Sequence, residues 1–134
     1  MMCPAQDTPP ETLGRKITIA WNGSTEAARA VALTLDLLAA ADEVVILTSG
    51  AAADTGNNAE NLSDYLAMRG ITATIDRFKS RGIAGDTLIE LTKKHAADIM
   101  IMGAYGDSHE RETLFGGNTQ SVVDHSTIPV ILVH

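Results

Sequence analysis

The sequence predicts a single α/β domain built as a doubly wound parallel sheet with helices on both faces. Three observations carry this expectation. From Lys16 to the end, β-forming runs alternate with amphipathic segments as β-α-β-α-β-α-β-α-β. The runs "ITIAW", "EVVILTS", "DIMIMG" and "IPVILV" are near-continuous in apolar residues, the pattern of strands covered on both sides. Strict alternation of strand and helix also requires crossover connections, which are right-handed and leave the strands parallel.

Each element has a local cause. Residues 1–15 hold three of the four prolines, at 4, 9 and 10, and almost no periodicity, so they read as a flexible tail or linker stub before a domain at 16–134. "KITIAW" is the first strand; "NGS" ends it, with Gly23 supplying the turn and Ser24 fitted to cap the helix that follows. That helix has apolar positions at 28, 31, 32, 35, 38 and 39. "EVVILTS" is the second strand. A second helix around 58–69 turns Leu62, Tyr65 and Leu66 inward and ends at Gly70, where a left-handed cap is wanted. "ITATIDRF" is the third strand, and "IAGDTLIELTKKHA" is a helix whose last turn carries Lys93, Lys94 and His95, cations that suit a helix C-terminus. "DIMIMG" is the fourth strand, "NTQSVVDHS" a short fourth helix and "IPVILVH" the last strand.

Composition narrows the function. At 134 residues the chain is one ordinary domain, able to bury roughly two-thirds of its unfolded surface. Cys3 is the only cysteine, so no internal disulfide forms and a zinc pattern is excluded. A net charge of −7 argues against sequence-independent nucleic-acid binding, which needs a lysine and arginine footprint. No apolar run approaches the ~20 residues of a membrane span, and the expected location is the cytoplasm.

The chemistry concentrates in "IMIMGAYGDSHERETLFGGNT", residues 99–119, where glycines at 103, 106, 116 and 117 follow a strand and precede an amphipathic segment. Ligands of open α/β sheets sit beyond the carboxyl ends of the strands, where the strand order reverses. "AWNGS" and "MGAYG" are the two strand ends with suitable residues. Glycines let a backbone approach a ligand closely, and turn amides at a helix N-terminus attract anions. A tight strand-to-helix turn asks for the same glycines, so both readings stand at this point. No GxxxxGK[ST] motif occurs, which excludes a Walker-type site.

In "ITIAWNGS", "HAADIMIMGAYG" and "FGGNT…IPVILVH" the chain resembles the universal stress protein family over 16–134, most closely the second half of its tandem members. ATP-binding members carry Gly-x2-Gly-x9-Gly, matched here by Gly103, Gly106 and Gly116. The resemblance implies a strand order 3-2-1-4-5, a cleft for ATP or another adenine nucleotide, with Mg2+ entering only with the nucleotide, and a homodimer through the last strand at Val130, Ile131, Leu132 and Val133. The candidate contacts are Ala20, Trp21 and Asn22 on the first strand end and Thr48 on the second. Met102, Gly103, Tyr105 and Gly106 follow the fourth strand; Gly116, Gly117, Asn118 and Thr119 complete the loop.

Departures from the family pattern weaken the cleft. Asn22 stands where nucleotide binders usually have aspartate, and Gly117 where they have Ser or Thr. Asp107, Glu110 and Glu112 outweigh Arg111, a balance that repels a triphosphate. His109 and Glu110, adjacent in a polar loop, read as solvated rather than as an acid–base pair. The expected function is a stress-response binding and signalling module with a degenerate nucleotide cleft. The alternatives are a nucleotide-free dimerising module and a weak ATPase, the last disfavoured because no carboxylate or lysine is positioned for it.

Overall fold

A computed structural model describes residues 2–3, 14–49, 59–78, 84–104 and 112–134. In chain order the elements are β1 (Met2–Cys3), β2 (Lys16–Trp21), α1 (Thr25–Leu33), α2 (Leu35–Ala40), β3 (Glu43–Ser49), α3 (Ala59–Ala67), β4 (Ala73–Phe78), α4 (Ala84–Lys94), β5 (Ile99–Gly103), α5 (Glu112–His125) and β6 (Val130–Val133). The sheet order is β1-β6-β5-β2-β3-β4. Strands β2 to β6 are parallel and have the expected order 3-2-1-4-5 when counted from β2.

Period-two alternation along these strands separates two cores. Ile17, Ile19, Val44, Ile46, Ile99 and Ile101 face α1, α2 and α3 with Ala30, Val31, Leu38, Leu62 and Leu66. On the opposite face Val45, Leu47, Met100, Met102, Val130 and Leu132 meet Leu88 and Ile89 of α4 and Val122 of α5. Burying each such aliphatic side chain contributes about 1.5–3 kcal/mol, which is why the central strands tolerate so little polarity.

Local signals that were predicted do their work. Ser24 Oγ accepts from the Ala27 N–H at 3.1 Å and caps α1. Gly23 and Gly70 have φ of 75° and 77°, backbone states that glycine adopts without penalty.

Four details differ from the sequence reading. Met2 and Cys3 form a sixth, antiparallel strand on β6, so the edge expected to be open is paired at Val130 and Ile131. Gly14 and Arg15, expected in the tail, are tied to the fold, because the Asp98 carboxylate accepts the backbone N–H groups of Gly14, Arg15 and Lys16 at 2.8, 3.2 and 3.4 Å. The first helix is two helices: Thr34 turns its hydroxyl back to the Ala30 carbonyl at 2.7 Å, and the buried stripe runs through Ala27, Ala30, Val31, Thr34 and Leu38 while Ala28, Ala32 and Ala39 are exposed. Alanine suits either face, so its spacing misplaces a stripe by one residue. The last helix starts at Glu112, not Asn118.

Candidate functional site

The crevice that parallel sheets use for ligands lies here between β2 and β5. These strands are neighbours. The chain leaving β2 enters α1 on the first core's face, and α5 packs on the other, so the connections diverge at this point.

Register then assigns the expected contact residues to opposite faces. Trp21 pairs with Thr48, and both side chains point toward the α1–α3 face, since each continues the alternation of its strand. Thr48 is fully buried and Trp21 partly buried against the first core. Ala20 pairs with Met102 on the α4–α5 face, against the second core. These four candidate contacts are thus two pairs with the sheet between them.

Asn22 ends β2 with its side-chain carbonyl accepting the Ser24 N–H at 3.0 Å, an Asx turn that shapes the strand-to-helix corner. Its amide nitrogen makes no hydrogen bond with the described residues. The Trp21 indole N–H is different: it is buried and has no hydrogen-bond partner, the one such side-chain atom among the described residues. An unmet buried donor costs about 1–3 kcal/mol, so its presence at a strand end calls for an explanation.

Gly103 has a structural cause of its own. A Cβ at this position would lie 2.5 Å from the Ala27 nitrogen and 2.7 Å from the Glu26 carbonyl carbon. The first turn of α1 crosses directly over the end of β5, and only glycine lets the two backbones approach so closely. This contact also brings in a residue that the sequence reading missed. Glu26, with 8% of its surface exposed, sits in that first turn, where the helix N-terminus favours its charge. An acidic residue two places after a capping serine was the available signal.

The remaining candidates divide. Gly116, Gly117, Asn118 and Thr119 lie inside α5, so the expected loop through the two glycines is corrected. In a helix that begins at Glu112, Gly116 and Gly117 fall beyond the first turn, within the helical hydrogen-bond ladder. Thr119 is buried. Tyr105 and Gly106, with His109 and Glu110, lie outside the described residues.

Two other polar groupings have structural explanations. Ser121 Oγ donates to Asp86, while His125 Nδ1 lies 3.4 Å from the same hydroxyl and 3.7 Å from Asp86 Oδ1. The residue types are those of a hydrolase triad, but one ring nitrogen faces both partners, so no proton path runs through the imidazole. The group ties α4 to α5. A cavity of about 540 Å³ opens at the amino ends of the strands, lined by Arg15, Lys16, Asp42, Lys93 and Asp98 among others, far from the crevice. No group of three or more His, Cys, Asp or Glu placed to hold a metal ion occurs among the described residues. No helix among them is long and apolar enough to cross a membrane.

Comparison with known proteins agrees with this architecture. Residues 49–134 match the Universal stress protein family. The chain belongs to that family. Among curated relatives, universal stress protein MJ0577 of Methanocaldococcus jannaschii is 33% identical over 52 residues, covering 39% of this chain and 32% of that protein. The aligned segment is therefore about a third of the relative's length. The solved structure of MJ0577 superposes with a TM-score of 0.71 at 22% identity, covering 91% of this chain and 96% of that one. A universal stress protein in complex with cAMP gives 0.69 at 23% identity, covering 90% and 96%. One from Archaeoglobus fulgidus in complex with dAMP gives 0.66 at 14%, covering 90% and 98%. At these identities the likeness establishes the fold shared within the universal stress protein family.

Proposed function

We propose that this chain is a stress-response binding module that takes an adenine nucleotide at the carboxyl ends of β2 and β5 and does not turn it over. The observation that carries the reading is the buried, unpartnered indole N–H of Trp21 beside this crevice. An acceptor on the base or ribose satisfies it, and the free amide of Asn22 supplies a second donor. Relatives solved with cAMP and with dAMP support the ligand class. Electrostatics favour the less charged nucleotides: buried Glu26 stands at the crevice, and the sequence that follows β5 carries Asp107, Glu110 and Glu112 against Arg111. A triphosphate meets more repulsion there than a cyclic or single phosphate. Turnover is not expected, because Asn22 occupies the strand-end position where a carboxylate would hold a cation.

Calorimetry with AMP, cAMP and ATP on the wild type and on Trp21→Phe tests this. Phenylalanine keeps most of the ring packing and removes the donor, so affinity for the best nucleotide should fall roughly tenfold. Tryptophan fluorescence should respond to the same ligands. Silence of both signals at millimolar nucleotide would leave the nucleotide-free module as the correct reading.

That second reading shares one feature with the first, a homodimer through β6. The supporting observation is the asymmetry of the sheet edges. The β4 edge carries Asp76 and Arg77, tied to His95 at 2.6 Å and to Glu60 respectively. The β6 edge, "VILV", carries no charge. Uncharged edges pair with further strands unless something covers them.

A further inference from the structure

What covers the β6 edge is the chain itself. Met2 lies opposite Ile131 and Cys3 opposite Val130, in antiparallel register, on the side of β6 away from β5. A two-fold axis that sets β6 against its copy in a second molecule also produces an antiparallel pair, because rotation about an axis normal to the sheet reverses the strand direction. The internal strand therefore occupies the same slot, with the same polarity, that a second copy of β6 requires.

We infer that β1 is a displaceable cover that competes with a second copy of this chain for the β6 edge. The inference rests on the homodimer reading given above. Three features of the molecule favour competition over a permanent sixth strand. β1 is two residues long and meets half of β6, which is four residues long. Pro4 follows it immediately and has no N–H to extend the ladder. Ten further residues, 4–13, separate it from the point at Gly14 where the Asp98 carboxylate anchors the chain, so β1 can leave without disturbing β2. Its opponent, β6 of the second copy, offers the whole uncharged strand.

The test compares the full chain with a variant carrying Met2→Pro and Cys3→Pro, which removes both N–H groups of β1. Association is measured by sedimentation velocity across a wide protein concentration range, with circular dichroism to establish that both proteins are folded. Hydrogen exchange of segment 130–133 is followed over the same range. Losing a two-residue pairing removes about one or two net hydrogen bonds, so the variant should dimerise at least roughly tenfold more tightly than the wild type. Protection of 130–133 in the variant should rise with protein concentration as the partner strand arrives. Equal dissociation constants for two dimerising proteins would overturn the cover while leaving the dimer standing. Two proteins that stay monomeric throughout would overturn both. Tighter association without added protection at 130–133 would place the interface elsewhere and overturn the competition.

Discussion

At the scale of single residues, Gly103 and Asn22 have structural roles that hold whether or not a ligand binds. Gly103 is required by the first turn of α1, whose backbone atoms cannot yield as a flexible side chain would. Gly103→Ala should therefore lower stability by about 1–3 kcal/mol or more, seen as a lower urea midpoint, whether or not nucleotide binds. Asn22 uses its carbonyl to form the turn and has its amide to spare. Asn22→Asp keeps the acceptor for Ser24 N–H and adds a charge at the end of β2. The added carboxylate gives a cation a partner, so nucleotide should bind about tenfold more tightly with magnesium, and more weakly without it. Calorimetry with and without magnesium checks both directions.

Among the elements, the junction of β2 with β5 is set by Asp98, a largely buried carboxylate that gathers three backbone N–H groups at the start of β2. Removing a charged acceptor strands donors that water reaches poorly. Asp98→Ala should cost about 1.5–3 kcal/mol in chemical denaturation. The exposed pair between Arg77 of β4 and Glu60 of α3 is a contrast. The Arg77 hydrogen bond, and then one from Glu60's own backbone, hold the Glu60 carboxyl below its usual range. A depressed carboxylate contributes stability above its unfolded pKa and loses it as pH falls through the folded value. Because solvent screens this pair, Arg77→Ala should change stability much less than Asp98→Ala, and its small effect should vanish in acid. The α4 helix is held on the opposite face by the buried hydroxyl pair Thr18–Thr92, 2.9 Å apart, which lets a polar residue sit in a strand that otherwise reads as apolar.

At the scale of the whole molecule, the proposed ligand crevice and the proposed association edge lie on neighbouring strands. β5 contributes the crevice at Gly103 and pairs directly with β6. A ligand that binds the folded chain alone stabilises it by mass action, about 2.7 kcal/mol at a hundredfold excess over the dissociation constant. Differential scanning calorimetry should show the unfolding temperature rising with AMP or cAMP and rising less with ATP at equal concentration. An equal shift for all three would remove the charge argument built on Glu26.

The sequence by itself determined the alternation of strands and helices from Lys16 onward, the caps at Ser24 and Gly70, and the family spacing of the glycines, because each of these is written in periodicity or chemistry over a few neighbouring residues. The tertiary structure alone decided that Trp21 and Thr48 are separated by the sheet from Ala20 and Met102, that Gly103 answers to Glu26 and Ala27, and that Met2 and Cys3 lie against β6. It also placed Gly116 and Gly117 within a helix, where propensity alone would not put them. These are contacts between segments distant in the chain, or outcomes in which packing overrides a glycine penalty of about 1 kcal/mol per residue. Local pattern carries no record of which distant backbone a residue will meet.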